Sequence, residues 1–377
     1  MRLIVALAFA LTACQGSPDA TDATDDTDVV AADPATPEAW IDALAAVGPY
    51  QVGFRETSIT YTDKLGEPRT IRVDIWYPTD ATSGAEASYL GGAIPAPGIW
   101  LEPEPSAGKF PLVLFSHGHQ GGAENLSRTF DHMVTHGWVV VAPEHTGDTT
   151  FDLGQRDTQI YWRRPTDVSA TLDHVLDVDP ISAHLDGRIL GVGHSFGGYT
   201  QWPLAGAHWD VDDMIAKCAT EPDGLCSTWT DADEAIFRAG ASDDRIQAFA
   251  TLSGGDFDRF NAVGVGTVDR PMMLVTGDLD EGNPEKTAQY WDALPTGTYV
   301  RATLAHGDHQ SYGDYAGTTS IPGTNPDHLD GERSRRITEV LLGAWGAREV
   351  LGKSNLDGVL DGSVEIDSDL TVETQSR

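Results

Sequence analysis

Basic side chains are scarce in this sequence. Its 377 residues include 24 Lys and Arg against 58 Asp and Glu, and the formal net charge is −34. Only 5 of the basic residues are lysines, and 41 of the acids are aspartates. Such a surface disfavours nucleic acid, whose phosphates bind basic proteins, and equally disfavours electrostatic binding to anionic lipid. The excess of short, strongly hydrated carboxylates favours the hypothesis of a saline habitat.

Long hydrophobic runs are also scarce. The run Leu3–Leu11 is too short to span a bilayer, which takes about 20 residues. It predicts the apolar region of a secretory signal over residues 1–13. The sequence Leu11-Thr12-Ala13-Cys14 that follows resembles a bacterial lipobox. We therefore predict cleavage before Cys14, lipid on its thiol, and export to the outer membrane or cell surface.

The rest of the chain divides by composition. Residues 14–37 repeat Asp, Thr and Ala with few large apolar side chains, which predicts a disordered acidic linker. Residues 38–355 hold enough apolar material for one large domain. Within it, residues 209–244 interrupt the regular pattern and could cap the site. Residues 356–377 are acidic and weakly patterned, so we expect an irregular tail.

Cysteine is nearly absent, with 3 in the whole chain. Apart from Cys14, only Cys218 and Cys226 remain. In an exported protein two remaining cysteines usually pair, and the disulfide would close a short loop at a gain of roughly 2–3 kcal/mol. Two free buried thiols are the alternative.

Strands and helices alternate from residue 111 onwards. A period of two over Arg69–Tyr77 indicates a half-buried strand with residues 53–61 as an antiparallel partner, whereas residues 78–110 read as a long surface excursion. The alternation predicts an α/β protein, a mostly parallel sheet with helices on both faces. Buried strands are predicted at 111–115, 138–142, 188–192, 246–252, 272–276 and 299–304, and helices at 123–136, 163–178, 284–293 and 332–350.

The segment Gly193-His194-Ser195-Phe196-Gly197 matches the pattern G-x-S-x-G. It follows an apolar strand and precedes a helix, which is the context that a nucleophilic serine of this kind requires. The glycines allow a sharp turn that presents Ser195 beside a helix N-terminus. The backbone amide of Phe196 is then a candidate donor to an oxyanion.

A serine nucleophile needs a base, and the base needs an acid to orient it. Two later loops follow strands in the required order of serine, acid and histidine. We prefer Asp280 as the acid, with Asp278 and Asp256 as alternatives. We prefer His309 as the base over His306. We expect the aspartates that are not the acid to be solvated loop residues, and the histidine that is not the base to be a packing residue.

The loop after the strand at 111–115 reads Ser116-His117-Gly118-His119. This loop normally gives the second oxyanion amide, so the N–H of His119 is our candidate. Zinc is disfavoured, since His117 and His119 have no set of carboxylates or cysteines at metal-ligand spacing nearby.

Together these segments resemble the α/β-hydrolase superfamily, and within it the bacterial group related to type II platelet-activating-factor acetylhydrolases and predicted dienelactone hydrolases. The resemblance runs from about Gly48 to Trp345. It implies a serine esterase without a cofactor that acts on short-chain or oxidised acyl esters, including phospholipid-type esters. The supporting segments are Gly48-Pro49-Tyr50 with Val52-Gly53, Val73–Pro78, Phe115-Ser116-His117-Gly118, Ala142–Thr146, Arg164-Pro165 with Asp167, Gly193–Gly198, and His309-Gln310 before Asp314.

One departure from this family concerns the acid. Eukaryotic platelet-activating-factor acetylhydrolases place it just after the strand that follows the nucleophile helix. Here that strand ends Leu252-Ser253-Gly254-Gly255, with Asp256 slightly further on. The loop that holds Asp278 and Asp280 resembles the acid loop of other α/β-hydrolases instead, so the choice stays open.

The sequence thus predicts a lipid-anchored, extracytoplasmic serine ester hydrolase that is a monomer and meets the membrane only through its anchor. Gln120, Tyr199 and Trp202 are candidates to line the substrate pocket, although Tyr199 and Trp202 could instead pack the helix after Ser195. The alternatives are a polyester hydrolase, a serine peptidase of the same fold, a perhydrolase or haloperoxidase side activity, and a surface binding protein with a degenerate site.

Overall fold

The fold is built on one mixed β-sheet. The computed structural model describes residues 33–154, 156–221, 224–314 and 327–376. The predicted signal, Cys14 and most of the linker lie outside the described residues. The strands are β1 (Gln51–Thr62), β2 (Pro68–Thr79), β3 (Glu86–Tyr89), β4 (Ile94–Leu101), β5 (Phe110–Ser116), β6 (Val139–Pro143), β7 (Leu185–His194), β8 (Ala248–Leu252), β9 (Met272–Gly277), β10 (Thr298–Leu304) and β11 (Leu370–Ser376).

The sheet has the order β11-β10-β9-β8-β7-β5-β6-β2-β1-β4-β3. The stretch from β10 to β6 is parallel throughout, while β2 and β11 run antiparallel to the neighbours on either side of it. Parallel strands end at the same edge of a sheet, so the loops after β5, β7, β9 and β10 meet there. Ser195, Asp280, His309 and His119 lie on these four loops.

Helices cover both faces of the sheet. Along β5, Val113 and Phe115 pack into the core on one face, and Leu112 and Leu114 into the core on the other. None of the described helices combines the length and hydropathy needed to cross a bilayer. The helices are α1 (Pro37–Ala45), α2 (Ser127–Thr135), α3 (Thr158–Asp177), α4 (Phe196–Leu204), α5 (Val211–Cys218), α6 (Asp231–Ala239), α7 (Asn261–Val265), α8 (Asn283–Ala293), α9 (Gly331–Glu349) and α10 (Asp357–Leu360).

The surface excursion expected over residues 78–110 instead contains two strands. The strands β3 and β4 pair with each other, and β4 extends the sheet beyond β1. Ala87, Tyr89, Ala96 and Ile99 are buried on this hairpin. The many prolines and glycines of this segment concealed its strand pattern from the sequence. The structure accommodates the prolines because proline is tolerated in strands near a sheet edge.

The expectation of an irregular tail over residues 356–377 is wrong. The strand β11 pairs with β10 along its whole length, from Leu370 opposite Leu304 onwards. Before it, Leu356, Val359 and Leu360 are buried around α10. The sequence of β11 has few large apolar residues, since an edge strand is held mainly by backbone hydrogen bonds to one neighbour.

Residues 209–244 contain α5 and α6 and pack against α3. Trp209 and Phe237 are buried, and Trp162 of α3 donates a hydrogen bond to Asp233 at 2.9 Å. Cys218 and Cys226 form a disulfide within the segment. These contacts attach the segment to the helical layer, and its role as a cap stays a prediction.

Candidate active site

Ser195 occupies a strained turn between β7 and α4. Its φ of 56° and ψ of −118° are rarely adopted by a residue with a side chain, and such a conformation costs of order 1–3 kcal/mol. Neighbouring backbone comes so close that side chains are excluded on both sides. A Cβ on Gly193 would lie 2.1 Å from the carbonyl oxygen of Gly197, and one on Gly197 would lie 1.8 Å from that of Ser116. The G-x-S-x-G pattern is therefore a steric requirement of this turn.

The structure brings Ser195, His309 and Asp280 into one hydrogen-bonded row, which we call the open triad. The Nε2 atom of His309 lies 2.8 Å from Ser195 Oγ, and its Nδ1 atom lies 3.0 and 3.1 Å from the two Asp280 carboxylate oxygens. The side chain of His309 is 36% exposed, whereas that of Asp280 is 3% exposed. A substrate can therefore reach the histidine and serine, while the acid stays covered.

The surroundings of Asp280 keep it ionised. Burial raises the pKa of its carboxyl, but hydrogen bonds from His309 and Asn283 outweigh burial and hold the pKa below its usual value. Asn283 Nδ2 donates to Asp280 Oδ1 at 2.8 Å. An ionised Asp280 accepts a hydrogen bond from the N–H at Nδ1 of His309. The Nε2 atom is then unprotonated and can accept a hydrogen bond from the hydroxyl of Ser195.

The alternative acids and base have other partners. Asp278 accepts a hydrogen bond from the backbone N–H of His306 at 2.7 Å. Asp256 forms an ion pair with Arg156 at 3.2 Å. His306 is exposed, with a left-handed φ of 62°. The geometry therefore favours Asp280 and His309, whose catalytic roles stay predictions.

The loop after β5 lies directly against Ser195. A Cβ on Gly118 would be 3.2 Å from Ser195 Cβ, so only glycine allows this approach without a shift. His119 follows in this loop, and Phe196 is the first residue of α4, where an amide has no acceptor within the helix. Both amides thus belong to segments in contact with the serine, as predicted oxyanion donors must.

Two of the three candidate pocket residues pack the core instead, which was the alternative for both of them. Tyr199 and Trp202 are fully buried. Trp202 stacks on Tyr290 with ring centroids 4.0 Å apart, and Tyr199 donates a hydrogen bond to the carbonyl of Tyr161 at 3.0 Å. The helix after Ser195 runs into the interior, so its aromatic residues pack the core. Gln120 is exposed beside the β5 loop, and its contact with substrate stays a prediction.

His194 also contacts the base and was not singled out by the sequence. Its Nε2 donates to the backbone carbonyl of His309 at 2.8 Å. Burial and the neighbouring His309 lower the pKa of His194 to about 4, so the ring is neutral at neutral pH. It fixes the backbone of the loop that carries the base. The only signal was its place before Ser195 in the motif.

Three carboxylates outside the open triad surround the side chain of Arg72. Glu56, Asp74 and Glu124 hold oxygen atoms within 4.8 Å of one another. The Arg72 guanidinium lies among them, 2.7 Å from Glu124 and 3.3 Å from Asp74. Burial raises the pKa of Asp74 well above its usual value. The charge of the group is therefore reduced by Arg72 and by burial without a metal ion.

Comparisons with known proteins agree with this fold. The sequence model of the Chlorophyllase family matches residues 81–219, which include Ser195 and the β5 loop. The platelet-activating factor acetylhydrolase of Cavia porcellus is 24% identical over 217 residues, covering 41% of this chain and 50% of the relative. The enzyme of that name from Canis lupus familiaris is 25% identical over 219 residues, covering 41% and 49%. The chain spans about half the length of these curated relatives.

A solved structure shows the same architecture over most of the chain. The ferulic acid esterase from Streptomyces cinnamoneus superposes with a TM-score of 0.63, covering 87% of this chain and 98% of that one at 18% identity. At this identity the likeness concerns the fold. With the mixed sheet and the strained serine turn, it confirms the expected fold class. The chain therefore has the fold of the α/β-hydrolases, and among the proteins it resembles are two named as acetylhydrolases and one named as an esterase.

Proposed function

We propose that this protein is a serine carboxylic-ester hydrolase that works through an acyl-enzyme and without a cofactor. The observation that carries the proposal is the hydrogen-bonded row of Ser195, His309 and Asp280 at the carboxyl edge of the sheet. The names of the relatives support ester hydrolysis, and acetylhydrolase in particular favours short acyl groups.

Acylation follows from the direction of the hydrogen bonds. Ser195 Oγ attacks the ester carbonyl while His309 Nε2 takes the hydroxyl proton. Asp280 keeps the imidazole in the required tautomer and stabilises the imidazolium that forms. The developing oxyanion accepts hydrogen bonds from the amides of His119 and Phe196, which are fixed before the substrate arrives.

The same groups complete the cycle. His309 gives its proton to the leaving alcohol, and the acyl group remains on Ser195. Water then attacks the acyl carbonyl with His309 again as general base, and the acid is released. The proton taken from water returns from Nε2 of His309 to Ser195 Oγ as the acyl–oxygen bond breaks, so the side chains present supply every step.

The names of the relatives and the net charge support a proposal for the substrate class. We propose short-acyl esters or phospholipid-type esters that carry no net negative charge, since the chain has a net charge of −34. The lipobox-like segment supports export and anchoring by lipid on Cys14, which would hold the domain near a membrane through its linker.

Hydrolysis of p-nitrophenyl esters from acetate to laurate by the full chain tests the proposal. Ser195→Ala and His309→Ala are each expected to lower kcat by about 10⁶-fold, because nucleophile and base act as a unit. His306→Ala, an exposed histidine on the same loop, is the matched control and should keep wild-type activity.

The chain-length profile decides the substrate class. We expect acetate or butyrate to be the fastest substrate. A wild-type protein that is inert on every ester, or a Ser195→Ala protein that stays active, would overturn the proposal. Faster cleavage of a blocked oligopeptide would indicate a peptidase instead.

A further inference from the structure

A second row of serine, histidine and aspartate lies behind the open triad. Ser116 Oγ lies 2.9 Å from Nε2 of His145, and Nδ1 of His145 lies 2.9 Å from Asp167 Oδ2. All three residues are 0% exposed. We call Ser116, His145 and Asp167 the buried triad. They come from β5, the loop after β6, and α3, which are far apart in sequence.

The direction of the hydrogen bonds in the buried triad is fixed by charge. Burial raises the pKa of Asp167, but the hydrogen bonds and charge of Arg69 lower it to about 2, so Asp167 is ionised. Arg69 donates to both its oxygens at 2.7 and 2.8 Å. Burial and the nearby Arg164 lower the pKa of His145 to about 4. A neutral His145 therefore donates from Nδ1 to Asp167 and accepts the Ser116 hydroxyl at Nε2.

The buried triad cannot carry out a second hydrolysis. Ser116 is 0% exposed, and its carbonyl oxygen lies against Gly197, where a Cβ would be 1.8 Å away. A substrate carbonyl has no room to approach the hydroxyl. The arrangement must act through the residues that it touches.

Those residues form the loop that carries the predicted oxyanion donor. Ser116 ends β5 and directly precedes this loop. The backbone N–H of His145 donates to Nε2 of His117 at 3.1 Å, and Arg164 donates to the carbonyl of His117. Asp148 lies three residues beyond His145, and its carboxylate accepts a hydrogen bond from Nδ1 of His119 at 2.5 Å.

The next residue of the loop is held in the same way. The backbone N–H of Gln120 donates to Asp148 at 2.9 Å. The loops after β5 and β6 are thus bonded at consecutive residues, with the buried triad at the base. A hydroxyl, an imidazole in one tautomer and an anchored carboxylate give this junction a single geometry.

We propose that the buried triad is a positioning device, which sets the place of the His119 amide relative to Ser195. This role rests on the proposed function, because it matters only if that amide binds an oxyanion. A shift of about 1 Å at a catalytic group can cost of order 10²-fold in rate, so a fixed loop base has a measurable effect.

Ser116→Ala in the full chain tests this. It removes one donor and no other heavy atom. We expect kcat on p-nitrophenyl acetate to fall roughly 10- to 100-fold, with KM changed less than about twofold, because a misplaced donor affects the transition state alone. Titration with a fluorophosphonate to completion counts the folded sites, so that kcat is expressed per site.

Two further variants separate positioning from general loss of stability. Thr338→Ala removes a buried hydroxyl bonded within α9 and should lower the melting temperature without changing kcat. Ser116→Cys keeps a weak donor and should recover part of the lost kcat, which also covers the case in which Ser116→Ala does not fold. Equal kcat for Ser116→Ala and wild type, or equal losses for Ser116→Ala and Thr338→Ala, would overturn the proposal.

Hydrogen exchange keeps this test independent of ester hydrolysis. Peptides over residues 117–122 should exchange faster in Ser116→Ala, or in Ser116→Cys if the alanine variant does not fold, than in Thr338→Ala or wild type. Unchanged exchange contradicts the positioning role even if the wild type hydrolyses esters. Faster exchange in a wild type that is inert on esters would leave the loop junction standing and refute only the proposed function.

Discussion

The open and buried triads share their chemistry and differ in access. Both join a serine hydroxyl to Nε2 of a histidine whose Nδ1 faces an aspartate, at distances between 2.8 and 3.1 Å. The histidine side chain of the open triad is 36% exposed, and that of the buried triad is 0% exposed. Hydrogen-bond order alone therefore does not identify a nucleophile, and access to the serine must be shown as well.

The backbone at the two serines differs too. Ser195 has a φ of 56° at a strand-to-helix turn, whereas Ser116 is the last residue of strand β5. The turn lifts the side chain of Ser195 out of the sheet and places it at a helix N-terminus. Ser116 stays among core side chains. Strain at one serine and its absence at the other agree with a catalytic role for the first only.

Replacing the acid of the open triad should give the largest effect among the changes that sharpen this comparison. Asp280→Asn keeps the shape but offers an amide to His309 Nδ1, which favours the wrong tautomer. We expect kcat to fall by about 10⁴-fold with little change in the melting temperature. Steady-state kinetics on p-nitrophenyl acetate measures it.

The alternative acids provide the control. Asp278→Asn and Asp256→Asn should each keep kcat within about threefold of wild type, since their partners are the His306 amide and Arg156. If Asp256→Asn lost more activity than Asp280→Asn, the acid would be assigned to the loop after β8, as in the eukaryotic acetylhydrolases.

The open triad was largely predictable from the sequence, because each member follows a strand. Ser195 lies in a local motif, and the order of serine, acid and histidine limited the other choices to two loops. Geometry was needed to choose Asp280 over Asp278, which is two residues away and accepts the backbone N–H of His306 instead of contacting His309. Sequence alone does not give the direction in which a loop side chain points.

The buried triad was not predictable in this way. Its three residues lie in segments that were noted as family marks or, for Ser116, as the start of the oxyanion loop, and no spacing rule joins residues 116, 145 and 167. Their association depends on the pairing of β5 with β6 and on the packing of α3, which are tertiary features. The choice between pocket lining and packing stayed open for Tyr199 and Trp202 for a related reason, since proximity to Ser195 in sequence did not reveal that α4 points inward.

Acid should destabilise the protein through its buried histidines. The pKa values of His145 and His194 are about 4 in the fold, below the ordinary 6.5. Between pH 6.5 and 4 the unfolded chain binds these protons and the folded chain does not, so stability falls as the pH drops. Each histidine contributes up to about 3 kcal/mol to this loss.

Urea unfolding at several pH values between 7 and 4.5 measures the loss. Replacement of one such group by a side chain that does not titrate, as in His194→Asn, should flatten the dependence on pH even if it lowers stability at pH 7. A pH dependence that is as steep in His194→Asn as in wild type would contradict the neutral state assigned to His194, because every other titrating group is common to both proteins.

Asp131 provides the smallest expected effect and contrasts with Asp167 of the buried triad. Asp167 is fully buried and has Arg69 as a partner, whereas Asp131 is half-buried and accepts from Tyr89 at 3.3 Å. Burial and the nearby Asp314 raise the pKa of Asp131 to about 8. A folded pKa above the unfolded one means that the fold loses stability as the pH rises from about 4 to 8.

Asp131→Asn should therefore be more stable than wild type at pH 8 by about 1–2 kcal/mol, with the difference shrinking at pH 5. Thermal unfolding of both proteins at the two pH values measures this. The opposite result, a variant that is less stable at pH 8, would mean that Asp131 is ionised and paired in the fold. A carboxylate without an arginine partner would then also be ionised in this fold. The ionised state of Asp167 could no longer be attributed to Arg69, and the direction of the hydrogen bonds in the buried triad would rest on the contacts of His145 alone.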